Sequence, residues 1–272
     1  MAGTAGGNAF NIAGVRVDDV TRDDVLAAVE RFVADDGLHR IVTPNVDHIL
    51  HAQRDRMFKQ AVNSAALSIP DGKWLQRGAR LLGVNIREGI AGRLLVEPMC
   101  ELAARHGWSV YILASIGNIA ERAADTLRKR YPGLKIIMAR SPSMRFGQDA
   151  AETAELLREL NALRPDILFL GLGAPKSEKW LYEHREQIPA RVAIGVGYAF
   201  DILAGRIAEC PRWITAAGME WAYRLLKEPR RLWKRYLVRD PQFFGLLIKQ
   251  RLSGGSTKWV WDASAQAPTT HP

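Results

Sequence analysis

The chain has 272 residues, 47% of them hydrophobic, 25% charged and 8% aromatic, and its 38 Lys/Arg against 29 Asp/Glu leave a net charge of +9. These proportions exclude a wholly disordered or collagen-like chain, and a chain of this length buries a full core without covalent staples. Two cysteines, Cys100 and Cys210, exclude a disulfide framework; no spacing resembles a zinc site, and no run approaches the ~18 apolar residues of a membrane span.

Residues 1–9 are Gly/Ala-rich, lack the basic start of a signal peptide and read as a flexible N-terminus. Together with the sparse cysteines, this points to the cytoplasm. Phe10 to Val17 and Arg40 to Val42 then read as strands around a helix from Thr21 to Ala34, which Thr21 is placed to cap. Ala66 to Ile69 is a short strand, and Gly72 to Leu82 and Ala91 to His106 read as helices. Strands at Trp108 to Leu113, Lys135 to Ala139, Ile167 to Leu170 and Val192 to Val196 alternate with helices at Ile119 to Tyr131, Asp149 to Leu163 and Lys176 to Gln187. Such alternation implies βαβ units and a parallel sheet. The expected organisation is an α/β body over residues 10–205, a basic helical appendage over 206–251 and a mobile, Ser/Thr/Ala/Pro-rich tail over 252–272.

The charge is uneven. Gly205 to Arg251 holds 11 Lys/Arg and 4 Asp/Glu, a net +7, so the rest of the chain carries only +2. A basic cluster implies an anionic partner, whether nucleic acid, acidic lipid or a phosphorylated ligand; a solvated basic face has the same composition. On a wheel at about 100° per residue, Arg230, Arg231, Lys234, Arg235 and Arg239 share one arc, and Leu232, Trp233, Tyr236 and Leu237 take the other. Arg/Lys opposite Trp/Tyr suits a membrane interface.

In an open α/β sheet, ligands bind beyond the carboxyl ends of the strands. The segments leaving those ends are Thr43-Pro44-Asn45, Pro70-Asp71-Gly72, Gly171-Leu172-Gly173-Ala174-Pro175-Lys176 and Gly195-Val196-Gly197-Tyr198-Ala199-Phe200-Asp201. Each also has a bland role: Thr43 or Asn45 as a helix cap, Pro-Asp-Gly as an ordinary turn. Neither Gly-x-Gly completes a dinucleotide fingerprint, because Lys176 and Phe200 stand where the third glycine belongs. No P-loop occurs, and no Asp-x-Asp pair offers metal-diphosphate ligands.

The motifs are more specific together. Thr43-x-Asn45, Pro70-Asp71-Gly72, Gly171-Leu-Gly-Ala-Pro-Lys-x-Glu178, Gly195-Val-Gly-x-Ala-Phe-Asp201 and Glu220-Trp-x-x-Arg224-Leu-x-x-Glu-Pro-x-Arg231 occur in that order. This series resembles the WecG/TagA/CpsF glycosyltransferases, from about Phe10 to Tyr236. The resemblance implies a compact, Rossmann-like parallel-sheet sandwich of the type called GT-E. It implies inverting transfer of a sugar from a UDP-sugar to an acceptor sugar on a polyprenyl diphosphate, with no required metal or other cofactor. It further implies peripheral attachment to the inner face of the cell membrane through the C-terminal appendage, in cell-surface polysaccharide assembly.

Residue by residue, the resemblance makes Asp71 the general base and Thr43 an active-site threonine. It assigns substrate contacts to Asn45, Gly171, Gly173, Pro175, Lys176, Glu178, Gly195, Gly197, Phe200 and Asp201. Arg224, Arg231 and Arg235 are the candidates for holding the diphosphate, since arginine offers a planar two-pronged donor set. Three places depart from the family pattern: Ser177 replaces a glutamine, Glu209-Cys210-Pro211 replaces Arg-Ala-Pro, and Gly89 to Leu94 lacks the usual Arg-x-x-Gly-x-Asp, with Arg87 two places early. The competing reading is a non-catalytic α/β module that binds nucleotides or polyanions. A nucleic-acid binder has only the basic charge behind it and no recognition motif, so no nucleic-acid partner is expected. A homo-oligomer is left open.

Overall fold

The computed structural model describes residues 8–114 and 116–260, without the side chains of Arg212, Ala216 and Arg231. In chain order, β1 (Ala9–Ile12) and β2 (Val15–Asp18) lead into α1 (Arg22–Ala34), β3 (His39–Val42), α2 (Val46–Ala52), α3 (Arg56–Asn63), β4 (Leu67–Ser68) and α4 (Lys73–Leu81). A 3-10 turn (Gly92–Leu95) precedes α5 (Val96–His106), β5 (Ser109–Ala114), α6 (Ile119–Arg130), β6 (Lys135–Arg140), α7 (Ala150–Leu163), β7 (Ile167–Gly171), α8 (Lys176–Glu183), β8 (Val192–Gly195) and α9 (Ala199–Leu203). The C-terminal part is helical: α10 (Arg212–Ala217), α11 (Glu220–Lys227), α12 (Pro229–Trp233), a π-helical segment (Lys234–Arg239) and α13 (Pro241–Leu252).

Six strands form one parallel sheet in the order β4-β3-β8-β7-β5-β6. The α/β, Rossmann-like class expected from the alternation is therefore the class observed. Side chains of successive strand residues point to opposite faces, and the core divides accordingly. Ile41, Val110, Ile112, Ile167, Phe169, Val192 and Ile194 face one helical layer, which includes α1, α5 and α6. Their neighbours Tyr111, Leu113, Leu168, Leu170 and Ala193 face the other, over α7 and α8. Val42 joins a third cluster with α2, α3, α4 and α13.

Thr21 caps α1 in a reciprocal box with Asp24, as the sequence indicates. The span Phe10 to Val17 is a hairpin rather than one strand. Ala13 and Gly14 carry φ of 50° and 80°, the left-handed pair that a tight two-residue hairpin turn requires. Alanine seldom adopts that conformation, so the turn is poorly marked in the sequence. Helices α2 and α3, between β3 and β4, also went unread.

The hairpin is clipped to the sheet edge by a buried charge pair. Arg16, fully buried, donates to both carboxylate oxygens of Asp18 at 2.8 Å and to the Ala65 carbonyl at 2.7 Å. Asp18 in turn accepts from the Ser68 backbone amide on β4 at 2.8 Å. Removing one partner of a buried pair strands the other charge. Asp18→Ala is expected to cost about 3–5 kcal/mol of stability, read as a lower urea midpoint; an unchanged midpoint would show that water reaches Arg16.

The segment 206–251 ends inside the body's core. Phe243 and Leu247 of α13 are fully buried among Val42, Leu75 and Ala79. Beyond α13 the chain turns back along β1, with Asn11 donating to the Thr257 carbonyl at 2.8 Å and Trp259 to the Ala9 carbonyl at 3.0 Å. Most of the expected flexible N-terminus, and the expected tail from residue 261 on, lie outside the described residues.

Candidate active site

All six parallel strands point their carboxyl ends at one cleft of about 900 Å³. Twelve of the fifteen residues assigned from sequence line it: Thr43, Asn45, Asp71, Gly171, Gly173, Lys176, Glu178, Gly195, Gly197, Asp201, Arg224 and Arg235. Pro175 starts α8 but is not part of the wall. Phe200 is fully buried against Phe169, so it is core and not a cleft contact; its ring fills the space beneath Gly171. Arg231 falls within α12, and its side chain lies outside those described.

The floor is set by β3 and β4. Asn45 is the N-cap of α2, its Oδ1 accepting from the His48 backbone amide at 3.2 Å; capping and facing the cleft are compatible roles. The Asn45 Nδ2 lies 3.5 Å from Asp71 Oδ2. Backbone bonds from Asp71 N to the Pro44 carbonyl at 2.9 Å and from Ile90 N to the Pro70 carbonyl at 2.7 Å fix the Asp71 turn from both sides. Gly92 lets the 3-10 turn close over Thr43; a Cβ there would sit 2.7 Å from Thr43 Oγ1. The stretch Ala91 to His106, expected as a single helix, is a 3-10 turn followed by α5.

Asp71 is half-buried, and its pKa is raised to about 6. Withdrawal from water is the main cause; Glu220 adds to it, while His48, Asn45 and Arg93 oppose it. A carboxylate with a pKa near neutrality both accepts a proton readily and is ionised at pH 7.

The other wall is cationic and comes partly from the C-terminal helices. Arg224 stacks on the Tyr198 ring, 4.1 Å from its centroid. Tyr198 donates to Glu220 Oε1 at 2.6 Å, and Arg93 grips both Glu220 oxygens at 3.2 and 2.8 Å. Burial works against the Glu220 charge, but Arg93, Tyr198 and Arg224 hold its pKa below the ordinary value. Arg235 reaches towards Asp47 at 3.8 Å, and Arg239 takes the same carboxylate at 2.7 Å. Lys176 pairs with no carboxylate among the described residues and stands exposed at the rim. Asp201 pairs with Arg206 at 2.9 Å and its carbonyl accepts from the Arg206 and Ile207 amides, so it also shapes the loop after α9.

Sequence reasoning did not assign His48, Arg93, Tyr198 or Glu220. The departure near Arg87 held a usable signal. Arg87 pairs with Asp19 and Asp24 away from the cleft, whereas Arg93 lines it. The expected amphipathic helix also changes form: six residues are wound as a π-helix, which turns less per residue than the wheel assumes. Leu232 is buried, Tyr236 and Arg235 line the cleft, and Trp233 and Leu237 are exposed.

A parallel-sheet cleft that sets a carboxylate and arginines side by side suits an anionic ligand. The chain belongs to the WecG/TagA/CpsF family of glycosyl transferases, whose model matches residues 10–257. It is also similar to proteins from Staphylococcus aureus strains MRSA252, MW2 and NCTC 8325, each named N-acetylglucosaminyldiphosphoundecaprenol N-acetyl-beta-D-mannosaminyltransferase. Each is 25% identical over 227 residues, which cover 83% of this chain and 85% of the relative. Among the described residues, no helix is long and apolar enough to cross a membrane.

Proposed function

We propose that this chain transfers an N-acetylhexosamine from a UDP-sugar, with inversion, to an acceptor sugar carried on a polyprenyl diphosphate, in bacterial cell-surface polysaccharide assembly. The observation that carries this reading is the Asp71 carboxylate on the floor of a cleft whose opposite wall holds Arg224 and Arg235. The acceptor hydroxyl attacks the anomeric carbon and its proton passes to Asp71. The bond from that carbon to the β-phosphate oxygen breaks, and the electron pair stays on the departing UDP. Arg224, Arg235 and Lys176 are among the cationic side chains that line the cleft, and the reading assigns them the task of neutralising that charge without a metal. The relatives' named acceptor supports a lipid-linked sugar here.

The test is a panel of UDP-sugars incubated with a short-chain lipid-diphosphate acceptor and read by mass spectrometry. One N-acetylhexosamine added to the acceptor is the expected product. Donors left intact across the whole panel, with bound nucleotide, would favour a polyanion-binding module instead.

The reading places the enzyme at the inner membrane surface. Trp213 and Leu226 are 72% and 82% exposed, and Trp233 and Leu237 lie on the same helical part, beside Lys227, Arg230 and Lys234. Exposed apolar side chains among cations suit an anionic bilayer, where each Lys/Arg adds ~1 kcal/mol of attraction. Trp233→Glu with Leu237→Glu is expected to weaken sedimentation with anionic vesicles and to spare turnover on a soluble acceptor. Unchanged sedimentation would move the contact elsewhere.

A further inference from the structure

Beside Asp71 a line of largely buried polar side chains runs along the floor of the cleft. Asn45 Oδ1 accepts from the His48 backbone amide and lies 2.9 Å from His48 Nδ1. His48 Nε2 lies 3.5 Å from Glu178 Oε1. His48 and Glu178 are 7% and 5% exposed, so both are largely withdrawn from water. The two residues come from α2 and α8, on opposite sides of the cleft floor. Phe58 of α3 packs beside the His48 ring, at 5.6 Å between centroids.

The donors and acceptors on this line are fixed. Asn45 Nδ2 faces Asp71, so Oδ1 faces His48 and can only accept. His48 Nδ1 must therefore carry a proton. In a neutral ring Nε2 would then be an acceptor, facing a carboxylate oxygen that is also an acceptor. The pair thus combines a donor anchored to Asn45 with a second ring nitrogen set against Glu178 on the cleft floor.

We propose that His48, braced by Glu178, is a positioning residue of this site: through Asn45 it sets the orientation of the Asp71 carboxylate. This inference rests on the reading of Asp71 as the base. Other charged groups near the line are Arg93 and Glu220, which act on Asp71, and His51 on α2, which lies near His48.

The test compares His48→Leu, His48→Asn and Glu178→Gln with the parent enzyme, each first checked for folding by circular dichroism. His48→Leu removes both ring nitrogens; His48→Asn restores a donor near the Nδ1 position without a second. His48→Leu is expected to lower kcat by about 10²-fold, as misplaced reacting groups do, with KM for the donor little changed. The acid limb of its rate profile should move to higher pH, because His48, which holds the Asp71 pKa down, is gone. His48→Asn should recover most of kcat yet keep the shifted limb, and Glu178→Gln should shift the limb with a smaller fall in kcat. The Asp71 carboxyl carbon, followed by NMR in a pH titration, reads the same shift without turnover; its midpoint should rise in His48→Leu. A fall in kcat with an unmoved limb, an unmoved NMR midpoint and no rescue by asparagine would reduce His48 to a packing residue. Near-normal kcat in folded His48→Leu would overturn the proposal outright. If Asp71→Asn keeps its turnover, the base assignment fails instead, and the two failures are thereby distinguished.

Discussion

Asp71→Asn is expected to lower turnover by about 10²–10⁴-fold while donor affinity stays close to that of the parent. Asparagine fills the same space and can still face Asn45, but it cannot take a proton from an attacking hydroxyl. The parent's rate should fall on the acid side with a midpoint at about 6, where Asp71 becomes protonated, and that limb should vanish from the residual activity of the variant. A second signature separates a base from a turn residue. The folded protein raises the Asp71 pKa from 3.8 to about 6, so folding favours the protonated form. Asp71 therefore subtracts stability as pH rises from about 4 to about 6, and the deficit persists above that. One pKa shift of this size corresponds to roughly 3 kcal/mol. Asp71→Asn should melt higher than the parent at pH 7–8 and about level with it near pH 4. A variant with near-normal turnover would return Asp71 to the status of a turn residue.

Arg224→Ala is expected to cost about 10²–10³-fold in turnover, the usual penalty for removing one preorganised donor from a developing charge. The loss should appear in kcat, because the charge on the departing diphosphate is largest in the transition state. Arg224 is held by its stack on Tyr198, and its neighbour Glu220 already satisfies Arg93 and Tyr198. Its guanidinium is thus positioned before substrate arrives. Arg224→Lys should recover little, since an ammonium neither stacks in that way nor presents a fork. Vesicle binding should be nearly unchanged, because Arg224 faces the cleft and not the exposed side of the helices. Full turnover in Arg224→Ala would shift the task to Arg235 and Lys176.

Much of the fold was legible because its signals are local. The Thr21 cap, the alternating apolar strands and the small residues after β7 and β8 are each written within a few positions. The cleft followed from one topological rule, which places ligands beyond parallel strand ends. What escaped reading depends on pairings distant in sequence. Arg93 finds Glu220 across 127 positions and His48 meets Glu178 across 130; nothing local marks either. The π-helical segment defeated the wheel for a related reason. The wheel supposes a uniform turn, whereas tertiary contacts bury Leu232 and aim Arg235 and Tyr236 at the cleft.

The cationic strip between Glu220 and Pro241 is pinned at both ends, by the grip of Arg93 on Glu220 and by the seating of Phe243 and Leu247 in the core. Such a strip resembles a suspension bridge more than a free arm. The entropy of closing it over the cleft has been spent during folding, so Arg224 and Arg235 are held at the cleft wall in advance. A pull applied at Trp233 or Leu237 by any surface is shared between two moorings and cannot carry the arginines far from the cleft. Sequence drift on the outer side of the strip therefore leaves the charge presented inside unchanged.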